Sequence, residues 1–116
     1  MAIALEKTGM APELEVLREE ILTDAFGEDE QMWAFQQAFS DHLTTPAPGS
    51  VLGTPVEVSL IEYDGNTRVG LRARCTLNGK ERLVALSDIQ FPEQEPGARL
   101  VAVYRKWLGL EPLRET

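Results

Sequence analysis

Residues 51–91 decide the fold that we predict for this chain, and they read VLGTPVEVSLIEYDGN, TRVGLRARCTL and NGKERLVALSDIQF in order. Val, Ile, Leu and Tyr alternate with polar residues over three short runs, which is the pattern of half-buried strands. Asp64-Gly65 and Asn78-Gly79 separate the runs, and such dipeptides supply the positive backbone angles that tight hairpin turns need. We therefore predict a twisted antiparallel meander over 51–91 that closes into a small SH3-like barrel of about five strands.

Within this predicted barrel, the first strand should place Val56, Val58 and Leu60 on one face, because successive side chains of a strand point to opposite faces. Gly70 is predicted to mark a bulge or bend in the second strand, where the sheet coils.

Helical patterns flank the barrel on both sides. Residues 1–11 carry no periodic pattern and are predicted to be a loose tail. Residues 12–44 form a predicted helical arm of two helices, the first running to about Ala25 and stopping at Gly27. The Pro- and Thr-rich segment 44–50 is predicted to be a linker. A C-terminal helix is predicted over 97–109. The whole is an α+β fold in a single domain, 1–116, since 116 residues suffice for one core and not for two.

The charge of the chain is concentrated in the helical arm. The chain has 11 Lys and Arg against 19 Asp and Glu, a formal net charge of −8. Eight acids and one base, Arg18, lie between Glu13 and Glu30, so seven of the eight excess negative charges fall there. This excess argues against nucleic acid and anionic membranes as partners, because both are polyanions. Any electrostatic function should belong to the arm.

Catalytic chemistry has little support in the sequence. His42 is the single histidine and is predicted to be a surface residue at a helix end. Cys75 is the single cysteine; it lies mid-strand among apolar neighbours, where a small buried hydrophobe is expected rather than a nucleophile. We therefore predict a protein that is not an enzyme. With no partner for an internal disulfide, no apolar run of membrane-spanning length and no secretory pattern, a cytoplasmic location is expected.

Two features remain open to a functional or a purely structural interpretation. Tyr63, Arg68, Arg72 and Arg74 could form a partner-binding face of the barrel, although acids in the same strands could equally neutralise the arginines as a solvated surface. Asp64-Gly65-Asn66 resembles a fragment of a calcium loop, but a hairpin turn is the preferred interpretation.

The acidic segment of the arm is the strongest candidate for a binding site. Hard divalent cations prefer several carboxylate and carbonyl oxygens that converge. Such groups can meet across an interhelical turn, and plain solvation with helix-end electrostatics is the alternative. The predicted Ca²⁺ ligands are Asp24, Glu28, Asp29, Glu30 and, if the fold brings it back, Asp41.

The same region resembles the small acidic calcium-binding proteins of the cyanobacterial CcbP type. The matching positions are Asp24, Ala25, Phe26, Glu30, Phe35, Asp41 and Leu43. Residues 56–58, near the start of the first strand, also fit, and the likeness covers roughly two-thirds of the chain. The richer basic strands over 68–82 and the ending at 104–107 depart from the pattern. The resemblance implies a cytoplasmic calcium buffer or sensor without catalysis. An SH3-like protein-interaction module that binds no metal is the alternative.

Overall fold

The computed structural model describes residues 12–111, which form three α-helices and one antiparallel sheet. The helices are α1 (Pro12–Leu22), α2 (Glu28–His42) and α3 (Pro96–Trp107). The strands are β1 (Ala47–Val51), β2 (Thr54–Glu62), β3 (Arg72–Leu77) and β4 (Lys80–Ala85), and a 3₁₀ turn follows at Leu86–Asp88. The predicted α+β class is therefore confirmed. The predicted tail, 1–11, lies outside the described residues.

Helix α1 is shorter than predicted. It ends at Leu22 rather than near Ala25, and Asp24, not Gly27, takes a positive φ, of 64°, after the helix. Asp tolerates this left-handed conformation because its short side chain can bond locally. Gly27 instead lies in extended conformation directly before α2. The connection between the helices is consequently a longer turn, with room for several acidic side chains.

The sheet has the simple order β1-β2-β3-β4, with every neighbouring pair antiparallel. The Asn78-Gly79 turn joins β3 to β4 directly, as predicted, and Asn78 takes a positive φ of 52°. Asp64-Gly65, in contrast, does not close a two-residue hairpin. Residues 63–71 form a longer loop that contains a turn ending at Gly70, so Gly70 lies before β3 rather than in a bulge within it.

A register shift in β2 overturns the predicted strand face. Val56 and Val58 are buried, but Leu60 is 47% exposed and Ile61 is buried in its place. The pairing with β3 slips between Val58 and Leu60, which inserts one extra residue and reverses the alternation beyond it.

The sheet of residues 12–111 is open, so the SH3-like barrel is not confirmed. β1 and β4 are the two outer strands of the sheet order, and β1 makes one further bridge, between Ser50 and Gln90. The prediction of a linker over 44–50 was wrong from Ala47 onward, where β1 begins. Pro48 is tolerated there because an edge strand has a side on which no ladder bond is needed.

The core lies between the inner face of the sheet and helices α2 and α3. Met32, Phe35 and Phe39 of α2 meet Tyr104 of α3, with Phe35 and Tyr104 rings 5.4 Å apart and edge to face. Val58, Ala73 and Cys75 of the sheet are fully buried in the same cluster. Helix α1 contributes only half-buried side chains at its rim, which are Leu14, Leu17, Ile21 and Leu22. The turn after α1 is therefore held on the surface by an element that is itself lightly packed.

Tyr104 also satisfies a buried backbone group of the sheet. Its hydroxyl accepts a hydrogen bond of 2.9 Å from the amide of Leu71 and donates one of 3.7 Å to the sulfur of Met32. One buried hydroxyl thus joins α3, α2 and the start of β3. Gly70, with φ of 74°, lets the chain pass close to it, since a Cβ at this position would lie 2.7 Å from the hydroxyl oxygen.

Candidate functional site

The acidic turn, which we define as residues 23–30, presents all four of its carboxylates to solvent. Asp24 lies in the turn itself, while Glu28, Asp29 and Glu30 occupy the first turn of α2. Negative side chains at this end complement the positive end of the helix dipole. The carboxylate of Glu30 also accepts a hydrogen bond of 3.3 Å from the amide of Phe26, which folds the turn back on the helix.

Asp29 differs from its acidic neighbours because it is tied to the sheet. The hydroxyl of Tyr63 donates a hydrogen bond of 2.6 Å to Oδ1 of Asp29. Tyr63 directly follows β2 and is only 7% exposed, so its position is set by the sheet and by the helix packed on it. The ring of Tyr63 also contacts Trp33 edge to face, with 4.8 Å between ring centroids.

The surroundings of Tyr63 hold its hydroxyl firmly protonated. Burial is the largest cause, followed by the hydrogen bond to Asp29 and the negative charges of Asp29, Asp64 and Glu28, and together these raise the pKa of Tyr63 to about 12. The hydroxyl is therefore a donor at every physiological pH. Asp64, which we predicted only as a turn residue, belongs to this acidic surrounding because it directly follows Tyr63 in the chain.

Asp41 does not join the acidic turn. It lies in the last turn of α2, where its Oδ1 accepts a bond of 2.8 Å from the side-chain amide of Gln37. Asp41 lies twelve positions after Asp29 in the same helix, which corresponds to about 18 Å along the axis. The condition that we attached to Asp41, that the fold bring it back to the turn, is therefore not met.

Two backbone carbonyls at the end of α1 already accept hydrogen bonds from the acidic turn. The helix has no basic residue in its last turn, so the negative end of its dipole is not neutralised from within the helix. The hydroxyl of Thr23 donates to the carbonyl of Glu19 at 2.7 Å, and the amide of Ala25 to that of Leu22 at 3.1 Å.

Gln31 connects the acidic turn to the C-terminal helix. Its side-chain nitrogen donates to the carbonyl of Ala25 at 3.2 Å, and its oxygen accepts a bond of 3.1 Å from the indole of Trp107. The turn is therefore fixed at two points, to the sheet through Asp29 and to α3 through Gln31. Sequence reasoning missed both attachments.

The acidic turn has the type of donor atoms that a metal site needs, but not the geometry. The donors are hard oxygens of the kind that Ca²⁺ and Mg²⁺ prefer. Across residues 12–111, however, no group of three or more His, Cys, Asp or Glu side chains is arranged closely enough to hold a metal. The four predicted ligands in the acidic turn are thus neighbours along the chain that do not converge on one point, and a cation would require their side chains to rearrange.

The predicted partner-binding face is divided by the fold. Tyr63 is buried towards α2, whereas Arg72 and Arg74 project from the outer side of β3. Arg72 pairs with Asp64 at 2.9 Å, and Arg74 pairs with Glu62 at 2.6 Å and Glu81 at 3.1 Å.

Arg68 lies away from the other two arginines, while two exposed leucines lie beside Arg74. Arg68 lies in the 63–71 loop and is exposed. Leu60 and Leu83 are the partners of Arg74 on its two sides in the sheet, and they are 47% and 42% exposed. Within residues 12–111, the Nε of Arg72 is buried without a hydrogen-bond partner.

The two candidate catalytic side chains lie in very different environments. Cys75 is fully buried in the core, and burial raises the pKa of its thiol. The nucleophilic thiolate is therefore disfavoured. His42 is exposed at the end of α2.

In the part of the chain from 12 to 111, no helix is long and apolar enough to cross a membrane.

Comparison with known proteins gives a clear result for the fold. No family model matches the chain, and no curated protein matches it in sequence. A solved calcium-binding protein in its calcium-binding form matches with a TM-score of 0.67 and 21% identity, over 86% of this chain and 96% of that one. The crystal structure of Anabaena CcbP matches with a TM-score of 0.62 and 19% identity, over 82% of this chain and 93% of CcbP. The predicted resemblance to CcbP is thus confirmed as a shared fold that spans most of both chains.

Proposed function

We propose that this chain is a non-catalytic calcium-binding protein, a buffer or a sensor, and that the acidic turn is its binding site. The observation that carries the proposal is the fold, which matches a calcium-binding protein and Anabaena CcbP over more than four-fifths of the chain. A non-catalytic role is supported by the burial of Cys75, which removes the one thiol from contact with a substrate.

Local charge supports the acidic turn as the place where a cation would bind. Residues 19–30 contain six acids and no base, and the base that directly precedes them in the chain, Arg18, pairs with Glu15 at 3.7 Å. Acids that lie together repel one another, and a cation bound between them relieves that repulsion. The negative end of the α1 dipole lies next to the same region, because the acidic turn directly follows the helix.

The expected result of a thermal melting experiment is a higher melting temperature in calcium than in chelator. A ligand that binds only the folded state at 100 times its Kd adds about 2.7 kcal/mol to the free energy of unfolding. For a domain of this size, that gain raises the melting temperature by several degrees.

Two variants make the melting experiment specific for the acidic turn. Asp29→Asn should lose most of the gain, whereas Glu57→Gln, which changes an exposed acid of β2 outside the turn, should retain it. A melting temperature that is the same in chelator and in millimolar calcium would contradict the proposal. Parallel titrations with magnesium by calorimetry show which cation the turn prefers.

The second candidate function is a protein-interaction module that uses the outer sheet face, in the manner that we predicted for an SH3-like barrel. The observation in its favour is the row Leu60, Arg74 and Leu83, in which two half-exposed leucines flank one arginine. Arg72 and Arg74 are already paired with acids, so apolar contact would have to supply most of the affinity. Tyr63 takes no part in this candidate, because it is buried on the other side.

For this second candidate, the Leu60→Ser/Leu83→Ser double variant should lose a stoichiometric partner in a pull-down from the native host extract. Val16→Ser, which changes an exposed apolar residue of α1, is the control and should retain it. Retention of the partner by the double variant would exclude the outer sheet face as the binding surface.

Both candidate functions include a cytoplasmic location, which is supported by the single, unpaired cysteine.

A further inference from the structure

Leu52, at the tip of the hairpin between β1 and β2, is an unfavourable residue for its position. The hairpin closes at the pair of Val51 and Thr54, so Leu52 and Gly53 are its two turn residues. Both take a positive φ, 50° and 81°, an arrangement that favours Asn, Asp or Gly. A leucine is strained in this conformation because its Cβ approaches the following carbonyl oxygen. Its side chain is also 100% exposed, so no part of residues 12–111 packs on it.

A groove lies directly beside this tip. Its volume is about 450 Å³, and Gly53 is one of the residues that line it. The other apolar or glycine residues of the lining are Pro48, Gly49, Phe91 and Pro92. Two backbone hydrogen bonds of 2.8 Å between Ser50 and Gln90 join the two walls of the groove, so its shape is fixed. Pockets of roughly 300–1,000 Å³ hold drug-sized molecules, so this groove has room for a leucine side chain.

The tip and the groove carry little charge. Residues 43–56 contain no Asp, Glu, Lys, Arg or His, and no other part of the chain of this length lacks all five. Glu93 is the one charged residue of the groove lining, and Glu57 is the cross-strand partner of Pro48. Two copies of a chain with a net charge of −8 repel each other, and the repulsion is smallest where uncharged surfaces meet. This end of the molecule is therefore where a second copy can approach.

We propose that two copies of this chain associate through this end, each placing Leu52 in the groove of the other. Because Gly53 belongs to both the tip and the groove, the two lie side by side, and a two-fold axis between them forms both contacts at once. Such an isologous contact is closed, so association stops at a dimer. Burial of the leucines removes apolar surface from water and offsets the strain of the turn. The inference is independent of the proposed calcium site at residues 23–30.

The experiment is sedimentation velocity of the full chain over a concentration series, beside Leu52→Asn and Leu60→Asn. The unaltered chain should shift reversibly from monomer to dimer as its concentration rises. Leu52→Asn should weaken the association by about a hundredfold or more, because two buried leucines are lost from each dimer. Leu60→Asn changes a leucine that is 47% exposed on the outer sheet face, and it should retain the association.

Leu52→Asn also distinguishes a role in association from a role in the hairpin. Asn tolerates the positive φ of this turn better than leucine does. The melting temperature of the variant, measured in dilute solution where both chains are monomers, should therefore be at least that of the unaltered chain. A lower melting temperature would show that Leu52 stabilises its own chain, and it would overturn the inference.

Pro48→Glu tests the groove, because it places a charge in the lining at an exposed position of β1. This variant should lose association with itself, but its mixture with Leu52→Asn should associate more strongly than either variant alone. In the mixed dimer, Leu52 of the Pro48→Glu chain meets an unaltered groove, so one of the two contacts is intact. If the two copies instead packed Leu52 against Leu52, mixing would produce no such recovery.

The possible outcomes support or overturn the second copy as the occupant of the groove. Reversible dimerisation that needs both Leu52 and an uncharged groove supports the inference. A chain that stays monomeric at every concentration, growth beyond a dimer, loss of the dimer in Leu60→Asn, or a mixture without recovery overturns it. Binding of a monomeric chain to phosphatidylcholine vesicles through Leu52 would assign the tip to a lipid surface and would overturn it as well.

Discussion

Phe35→Ala is expected to lower the free energy of unfolding by about 3–5 kcal/mol, the range for a phenylalanine removed from a packed core. Phe35 has no exposed surface, and its ring contacts both Tyr104 at 5.4 Å and Trp107 at 5.1 Å. Alanine loses these ring contacts and leaves a cavity between α2 and α3. Domains of this size are stable by about 5–15 kcal/mol, so the loss is a large share of the total.

Urea denaturation in the presence of chelator measures this effect without a contribution from cations. Phe26→Ala is the matched control, because it removes the same side chain from a position that is 85% exposed. The control should change the free energy of unfolding by less than about 0.5 kcal/mol. Similar losses for the two variants would show that the α2–α3 contact is not the centre of the core.

Gly70→Ala is the second substitution with a large expected effect, a loss of about 3 kcal/mol. The backbone at Gly70 has φ of 74°, where a side chain costs about 1–2 kcal/mol. The added Cβ would also lie 2.7 Å from the Tyr104 hydroxyl. That hydroxyl must then move away from the buried amide of Leu71, and a buried donor left without a partner costs about 1–3 kcal/mol.

Gly79→Ala separates the two contributions to the Gly70→Ala effect. Gly79 has a nearly equal φ of 79°, and a Cβ there meets no atom within 4 Å. The control should therefore show the backbone cost alone. If Gly79→Ala is as destabilising as Gly70→Ala in urea denaturation, the contact with Tyr104 contributes nothing.

The helices and one hairpin were predictable from local signals. The helical patterns of α2 and α3 match the structure to within a few residues, because each helix carries a complete apolar stripe and a recognisable boundary. The Asn78-Gly79 turn was equally predictable, since its backbone angles demand these residue types.

The elements that we predicted wrongly depend on contacts between residues that are distant in sequence. β1 contains Pro48 and Gly49, which disfavour strands locally, and it forms because β2 on one side and Gln90 on the other pair with it. The register shift between Val58 and Leu60 has no local signature either. A closed barrel was expected from the density of short strands, which is a property that an open twisted sheet shares.

The candidate site was predictable in its composition but not in its geometry. The density of acids over 24–30 is evident from the sequence, and the structure places all four of them on the surface. The attachment of Asp29 to Tyr63, 34 residues later, could not be read from spacing. Asp41 could have joined the predicted site only if the C-terminal end of α2 lay close to the acidic turn, at which α2 begins.

The last helix supplies the partner surface on which the earlier part of the chain is packed. Met32, Phe35 and Phe39 all contact Tyr104, which is made more than sixty residues after them. During synthesis, α2 and the sheet emerge from the ribosome with this apolar surface uncovered, and it stays open until α3 is complete. A nascent chain arrested before α3 should therefore be a preferred client of chaperones that bind exposed apolar segments.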